Sequence, residues 1–415
     1  MDLTELSVEN YKPFKKRLAV AIKPITLVIG KNSSGKSALT RLPLLLRSGL
    51  ASGAEAPLTL TVDGLDFGAS FVDLIHGRNP HGRIGIGAAF DFGGHKQGFW
   101  AEVQNVDEYR AQYVSLLEVG TSESGRVTVR CDDVPKDLEN VLYTSSEDAQ
   151  SRELDFHGLH PFGRHPNDPV SELMNPFIVT ALNEITHLGP FRDQPSRYYR
   201  YQGATPAGVG VGGTNAPATL GADFHRRTGV LEQVGAWYAK HLGGWELAVS
   251  PREDTFSLIL KSPTRKGVDQ RGLEVNLADV GIGMSQVLPI VVEHFLQKRR
   301  KGPHLHIVEQ PELHLHPAAH ASLADLYVDA AAPSRRFLIE THSENFLLRI
   351  RRRCAEGLLS PENVIIHWVE NDGTEATVRP IQIDAKGDVD FWPTGVFSED
   401  FAEVGAIRKA NQEAP

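Results

Sequence analysis

The chain has 415 residues, which suits one large domain or two ordinary ones. It is 41% hydrophobic and 23% charged with a formal net charge of −9, which excludes a disordered chain and a surface coated throughout by nucleic acid. Two cysteines exclude a disulfide framework. There is no basic-then-apolar leader and no apolar run of about 20 residues, so a cytoplasmic protein without a membrane span is expected.

The first segments read as strands: "LTELSVEN" alternates, "KRLAVAI" is short and apolar, and "ITLVIG" runs apolar into glycine. "SALTRLPLLLR", from Ser37 to Arg47, has helical spacing, with Pro43 expected to distort its second turn. Residues 85 to 135 read as strands and turns. The polar stretch 144 to 170 reads as a loop or inserted variable segment, and 201 to 221 as a glycine-rich loop. From 285 onward helices alternate with the strands "LHIVE", "RRFLIE" and "NVIIHWVE", the pattern of a parallel sheet with right-handed crossovers. The expected class is α/β with a β-rich part before residue 176.

"GKNSSGKS", Gly30 to Ser37, matches G-x-x-x-x-G-K-[ST] between a strand and a helix. The glycines Gly30 and Gly35 let the backbone curl, so that the N–H groups of Lys31, Asn32, Ser33 and Ser34 turn toward phosphate oxygens. Lys36 is expected to reach the β- and γ-phosphates and the Ser37 hydroxyl to ligate Mg²⁺. ATP with Mg²⁺ is therefore the expected ligand. An ordinary Gly-Ser turn is the weaker reading.

Such a loop needs a carboxylate on a neighbouring strand to hold magnesium, and Glu309 at the end of "LHIVE" supplies one. The next position would polarise the attacking water. Here it is Gln310, which orients a water but takes no proton at neutral pH. Glu312 and His342, the latter just beyond "FLIE", are the other candidates for the chemistry. "VNLADVGIGMSQVLP" places Gly283 and Ser285 in a glycine-rich turn before a helix, a second anion site or a plain helix-entry turn.

In their order, "GKNSSGKS", "DVGIGMSQ", "HIVEQPELHLHP" and "LIETHSENFLLR" resemble the ABC-type ATPase heads of the SMC-like and OLD-like families. Within these the chain looks like the prokaryotic AAA-family ATPases with an "EQPELHLHP" acidic motif and an uncharacterised C-terminal region. The resemblance implies a P-loop fold of ABC-ATPase type with a β-rich N-terminal part and an inserted lobe. The head is expected at 1–95 and 176–370, the insertion at 96–175 and a C-terminal extension at 371–415. It also implies a head that dimerises on ATP, each nucleotide lying between the phosphate loop of one subunit and the signature turn of the other. Gly30, Gly35, Lys36 and Ser37 then bind phosphate and metal, and Glu309 is the acidic-strand residue. Gln310 falls on the catalytic-base position, His342 on the switch histidine, and Gly283 with Ser285 on the signature.

Three departures accompany the match. The signature turn reads "GIGMSQ" rather than the standard Leu-Ser-Gly-Gly-Gln. An amide replaces the usual acid, which implies slow hydrolysis, with a non-hydrolysing nucleotide switch or scaffold as the alternative. No glutamine follows the phosphate loop until Gln97, so the family's magnesium-touching glutamine is missing or its place falls to Asp73 or His76. The resemblance further implies genome maintenance or antiphage defence with a separate effector chain.

Weaker clusters are read more plainly. His304, His306, His314, His316 and His320 read as capping and interface histidines rather than a zinc set. "VENDGTEATV" reads as a hairpin, so a nuclease served by this head is expected on another chain. "QKRRK" and "LRIRRRC" read as solvated helix ends, with a DNA track as the alternative.

Overall fold

The computed structural model describes residues 2–51, 53–121, 125–133, 141–147, 149–163, 176–263, 272–299, 304–393 and 406–407. Its centre is a six-stranded sheet in the order Ile185–Leu188, His304–Glu309, Arg335–Glu340, Ile25–Gly30, Val364–Asn371, Ala376–Ile381. The first five strands are parallel, and Ala376–Ile381 closes one edge antiparallel, joined by the expected hairpin. Parallel strands are covered on both faces and read as continuous apolar runs. All six residues of His304–Glu309 are buried accordingly.

Side chains alternate across a strand, and the phosphate-loop strand shows where each face goes. Ile25, Leu27 and Ile29 enter a core shared with the helices Val230–His241, Leu288–Gln297, Pro317–Ala330 and Glu344–Ala355. Val28 enters the other core, shared with the helix Leu42–Leu50 and a second, larger sheet.

That second sheet has nine antiparallel strands and includes both N-terminal strands, Asp2–Glu9 and Leu18–Ala21. The strand His95–Val106 pairs along the whole of Arg83–Phe92, so one sheet spans residues 83 to 106. Part of the expected loop at 144–170 is also sheet: Ser151–His157 and His160–Gly163 form a hairpin. Its signal was weak because Leu154 is the only deeply buried residue of Ser151–His157. Residues 164–170 lie outside the described residues.

The helix expected from Ser37 to Arg47 is two helices, Lys36–Thr40 and Leu42–Leu50, jointed at Arg41. Pro43 has no N–H to return to the carbonyl four residues back, and its ring crowds that carbonyl. It is accommodated in the first turn of the second helix. No helix among the described residues is long and apolar enough to cross a membrane.

Candidate nucleotide site

The loop Gly30–Ser37 turns tightly at the C-terminal end of its strand. Ser33 (φ +60°) and Gly35 (φ +106°) adopt left-handed backbone, and a Cβ on Gly35 would stand 2.6 Å from Pro13 Cγ. A Cβ on Gly30 would collide with the Val369 carbonyl of the neighbouring strand. Lys31, Asn32 and Ser33 are exposed, whereas Ser34 is buried with its Oγ unpartnered. Lys36 is buried and folds back over the loop, donating to Gly30 O at 3.0 Å and Lys31 O at 2.7 Å. Burial lowers its pKa, and the Glu340 charge offsets part of that.

Two carboxylates end the adjacent strands at this edge, and register places Glu309 beside Glu340. Glu309 has both oxygens engaged: Arg41 donates Nε to Oε1 and Nη2 to Oε2, each at 2.7 Å, and His187 Nε2 lies 2.8 Å from Oε1. Burial pushes this carboxyl up, but His187 and Arg41 outweigh it and hold it below the ordinary carboxylate range. Glu340 is the acid that meets the phosphate loop. Ser37 Oγ donates to its Oε1 at 3.1 Å and Thr40 Oγ1 to its Oε2 at 3.2 Å. The sequence reading passed over Glu340, although "FLIE" ends an apolar run in an acid just as "LHIVE" does.

Gln310 turns out of the acidic strand with φ +45°, and its N–H donates to Glu340 O at 2.7 Å. Arg192 clamps this corner from behind, Nη2 donating to Glu309 O at 3.1 Å and Gln310 O at 2.9 Å. Burial lowers the Arg192 pKa to about 10. Arg192 was not anticipated, and "HLGPFRDQP" offers no local signal for it beyond an arginine in a turn-rich stretch. Glu312 is buried, and its Oε1 accepts the His342 N–H at 2.6 Å; burial raises its pKa. His342 itself is exposed, with its pKa lowered by partial desolvation and then by Lys36.

The signature-like turn lies elsewhere in the chain's packing. Gly283 sits against the loop after the acidic strand, where a Cβ would stand 2.5 Å from His314 O. Ser285 is buried and its hydroxyl donates to Ile282 O at 2.9 Å, so it faces the protein rather than solvent. Gly281 opens onto free space and Ile282 is 48% exposed.

Asp73 and His76 are held locally. Asp73 accepts from Ser70 N at 3.1 Å and pairs with Arg78, while His76 Nδ1 lies 2.8 Å from Lys12 O. His304 and His306 both meet Thr186 Oγ1, and His316 caps the helix it precedes. Arg349 and Arg353 pair with Asp325, and Arg352 with Glu356, as a solvated helix face does. Lys298 and Arg299 of "QKRRK" are described, Arg299 bonding to Thr228, while 300 and 301 lie outside the described residues.

Magnesium keeps most of its waters and shares phosphate oxygens, so it asks few ligands of a protein. The residues present fit it: a loop hydroxyl, Ser37, beside a buried carboxylate to which, among the described residues, only hydroxyl groups donate. Among the described residues no group of three or more His, Cys, Asp and Glu side chains could hold a metal.

No curated protein matches the chain. A family model described as an AAA ATPase domain matches residues 1–67 and 240–347, and one described as a protein of unknown function (DUF3696) matches 359–404. Among solved structures the chain is similar to the SMC head domain from Thermotoga maritima, at 10% identity and TM-score 0.45, covering 92% of this chain and 100% of that one. It is similar to the SmcHead bound to the C-winged helix domain of ScpA, at 11% identity and TM-score 0.48, covering 92% and 98%. A third is the Smc head domain with an extended coiled coil bound to the C-terminal domain of ScpA, from Pyrococcus furiosus, at 12% identity and TM-score 0.43, covering 98% and 99%. The first matched family segment holds the phosphate loop, and the second the signature-like turn, the acidic strand and His342. The chain thus carries an α/β sheet whose phosphate-loop and acidic-strand segments match an AAA ATPase domain, followed by the C-terminal region matched at 359–404.

Proposed function

We propose that the chain binds ATP with Mg²⁺, hydrolyses it slowly, pairs with a second copy on nucleotide, and drives a cytosolic genome-maintenance or antiphage assembly through a separate effector chain. The observation that carries the nucleotide reading is Lys36, a buried ammonium held over a curled loop by two carbonyls, Gly30 O and Lys31 O. Those bonds keep it placed to exchange carbonyls for phosphate oxygens. The ion, when bound, would neutralise charge on the phosphates; Ser37 is the loop residue to hold it.

Slow turnover follows from the acid–base inventory. Gln310 is fixed by its backbone through Arg192 and orients a water without accepting its proton. Glu312 spends one oxygen on the His342 N–H. His342 reaches solvent and is held neutral by its lowered pKa, so it can accept a hydrogen bond from the attacking water. Pairing is supported by the turn at Gly281–Gly283, whose nearest neighbours are His314 and Leu315 and whose outer face is open. A turn that faces outward suits a nucleotide presented by another copy.

The second reading, a nucleotide switch that assembles without turnover, is favoured by Gln310 alone. Steady-state ATP turnover beside a Lys36→Ala control, with and without DNA, separates the two. Turnover above the control is expected. Turnover equal to the control, together with nucleotide-dependent assembly, selects the switch.

A further inference from the structure

Glu309 and Glu340 are neighbours in the sheet but differ in what binds them. Glu309 carries a bidentate guanidinium and an imidazole. Glu340 is 2% exposed and receives two hydroxyl groups, from Ser37 and Thr40. The charge of Lys36 reaches it, but the Lys36 Nζ hydrogen bonds go to loop carbonyls. Among the described residues no cation hydrogen-bonds this buried carboxylate, which leaves it suited to a metal.

We propose that Glu340, together with Ser37, ligates the magnesium ion of bound ATP, and that Glu309 is the fixed counter-ion of Arg41 and His187. The inference rests on the ATP-binding reading above. Neighbouring corners of a magnesium octahedron with bonds of about 2.0–2.1 Å stand about 2.9 Å apart. Ser37 Oγ and Glu340 Oε1 stand 3.1 Å apart already. On metal binding the Ser37 proton turns away from Glu340, while Thr40 keeps its bond to Oε2. Two protein oxygens suffice because phosphates and waters complete the sphere. Releasing Glu309 for this task would instead strand Arg41 and His187 beside each other.

The test is ATP binding by the full chain in excess Mg²⁺ and in EDTA, with electron paramagnetic resonance of Mn²⁺ as a direct metal readout. Glu340→Gln is expected to bind ATP in EDTA like wild type, to lose at least tenfold of the tightening that Mg²⁺ confers, and to lose the ATP-dependent Mn²⁺ signal. Glu309→Gln is expected to keep both. If Glu340→Gln keeps its Mg²⁺ tightening, or Glu309→Gln alone loses it, the assignment is overturned while ATP binding stands. A wild-type chain that binds no ATP in either condition overturns the ATP-binding reading and the assignment with it. Should Glu340→Gln lack a cooperative melt, Glu340→Asp, which keeps the charge and withdraws it by one methylene, decides: weakened Mg²⁺ tightening supports the assignment and unchanged tightening overturns it.

Discussion

Arg41 sits at the joint between two helices and closes a bidentate pair with a carboxylate only 1% exposed. Removing one partner of such a pair leaves a buried charge, so Arg41→Ala should lower the unfolding free energy by about 3 kcal/mol, toward the low end of the buried-pair range because Arg41 is partly exposed. Denaturant titration measures this. The same pair sets a pH dependence. The Glu309 carboxyl is held below its ordinary 4.5, so the folded chain binds that proton more weakly than the unfolded chain. Its stabilisation is complete above about pH 4.5 and is lost as pH falls through the lower folded value. Stability measured from pH 6 to 3 should therefore fall less steeply in Arg41→Ala than in wild type; identical slopes would dissociate the pair from acid sensitivity. Gln310 offers the corresponding test of chemistry. Gln310→Glu should raise ATP turnover, by about tenfold or more on the scale of general-base effects. An unchanged or lower rate would show that position 310 is not where the water is deprotonated.

At the scale of elements, the phosphate loop is a backbone device. Gly35→Ala would force an L side chain into φ +106° and against Pro13, so a loss of about 1–3 kcal/mol in stability and weaker ATP binding are expected together. A melt unchanged from wild type would mean that the loop relaxes around the methyl group. This element was fully legible in the sequence because its eight residues are contiguous and its flanking strand and helix follow directly. The acidic corner was legible only in part. Glu309 announced itself at the end of an apolar run, but its partners Arg41 and His187 come from 268 and 122 residues away. Which of two strand-end acids faces Ser37 depends on strand register, and periodicity carries no register between distant strands. The hairpin at 151–163 was missed for a related reason. With Leu154 alone deeply buried on Ser151–His157, its alternation was too sparse to separate strand from loop.

Over the whole molecule, the phosphate-loop strand lies between Arg335–Glu340 and Val364–Asn371, so residues near the start of the chain complete a sheet built largely by its last third. That interleaving brings Ser37 to Glu340, 303 positions away. The signature-like turn packs on His314, in the loop after the acidic strand, and is open at Gly281. On the pairing proposed above, the phosphate loop and the turn at Gly281–Gly283 would each supply one half of a nucleotide clamp, and a second copy would join them. Gly281 is the position at which to break the pairing without harming the monomer. Its backbone is not left-handed (φ −56°), and a Cβ there meets nothing within 4 Å, so Gly281→Glu should fold and bind ATP as wild type does. The added carboxylate would face the triphosphate of the opposite subunit, where like charge disfavours association. Light scattering with ATP and Mg²⁺, using Glu312→Gln alongside to slow any turnover, should then show a dimer for the parent chain and a monomer for Gly281→Glu. A dimer that persists in Gly281→Glu would place the contact between copies on another face and leave each phosphate loop to work alone.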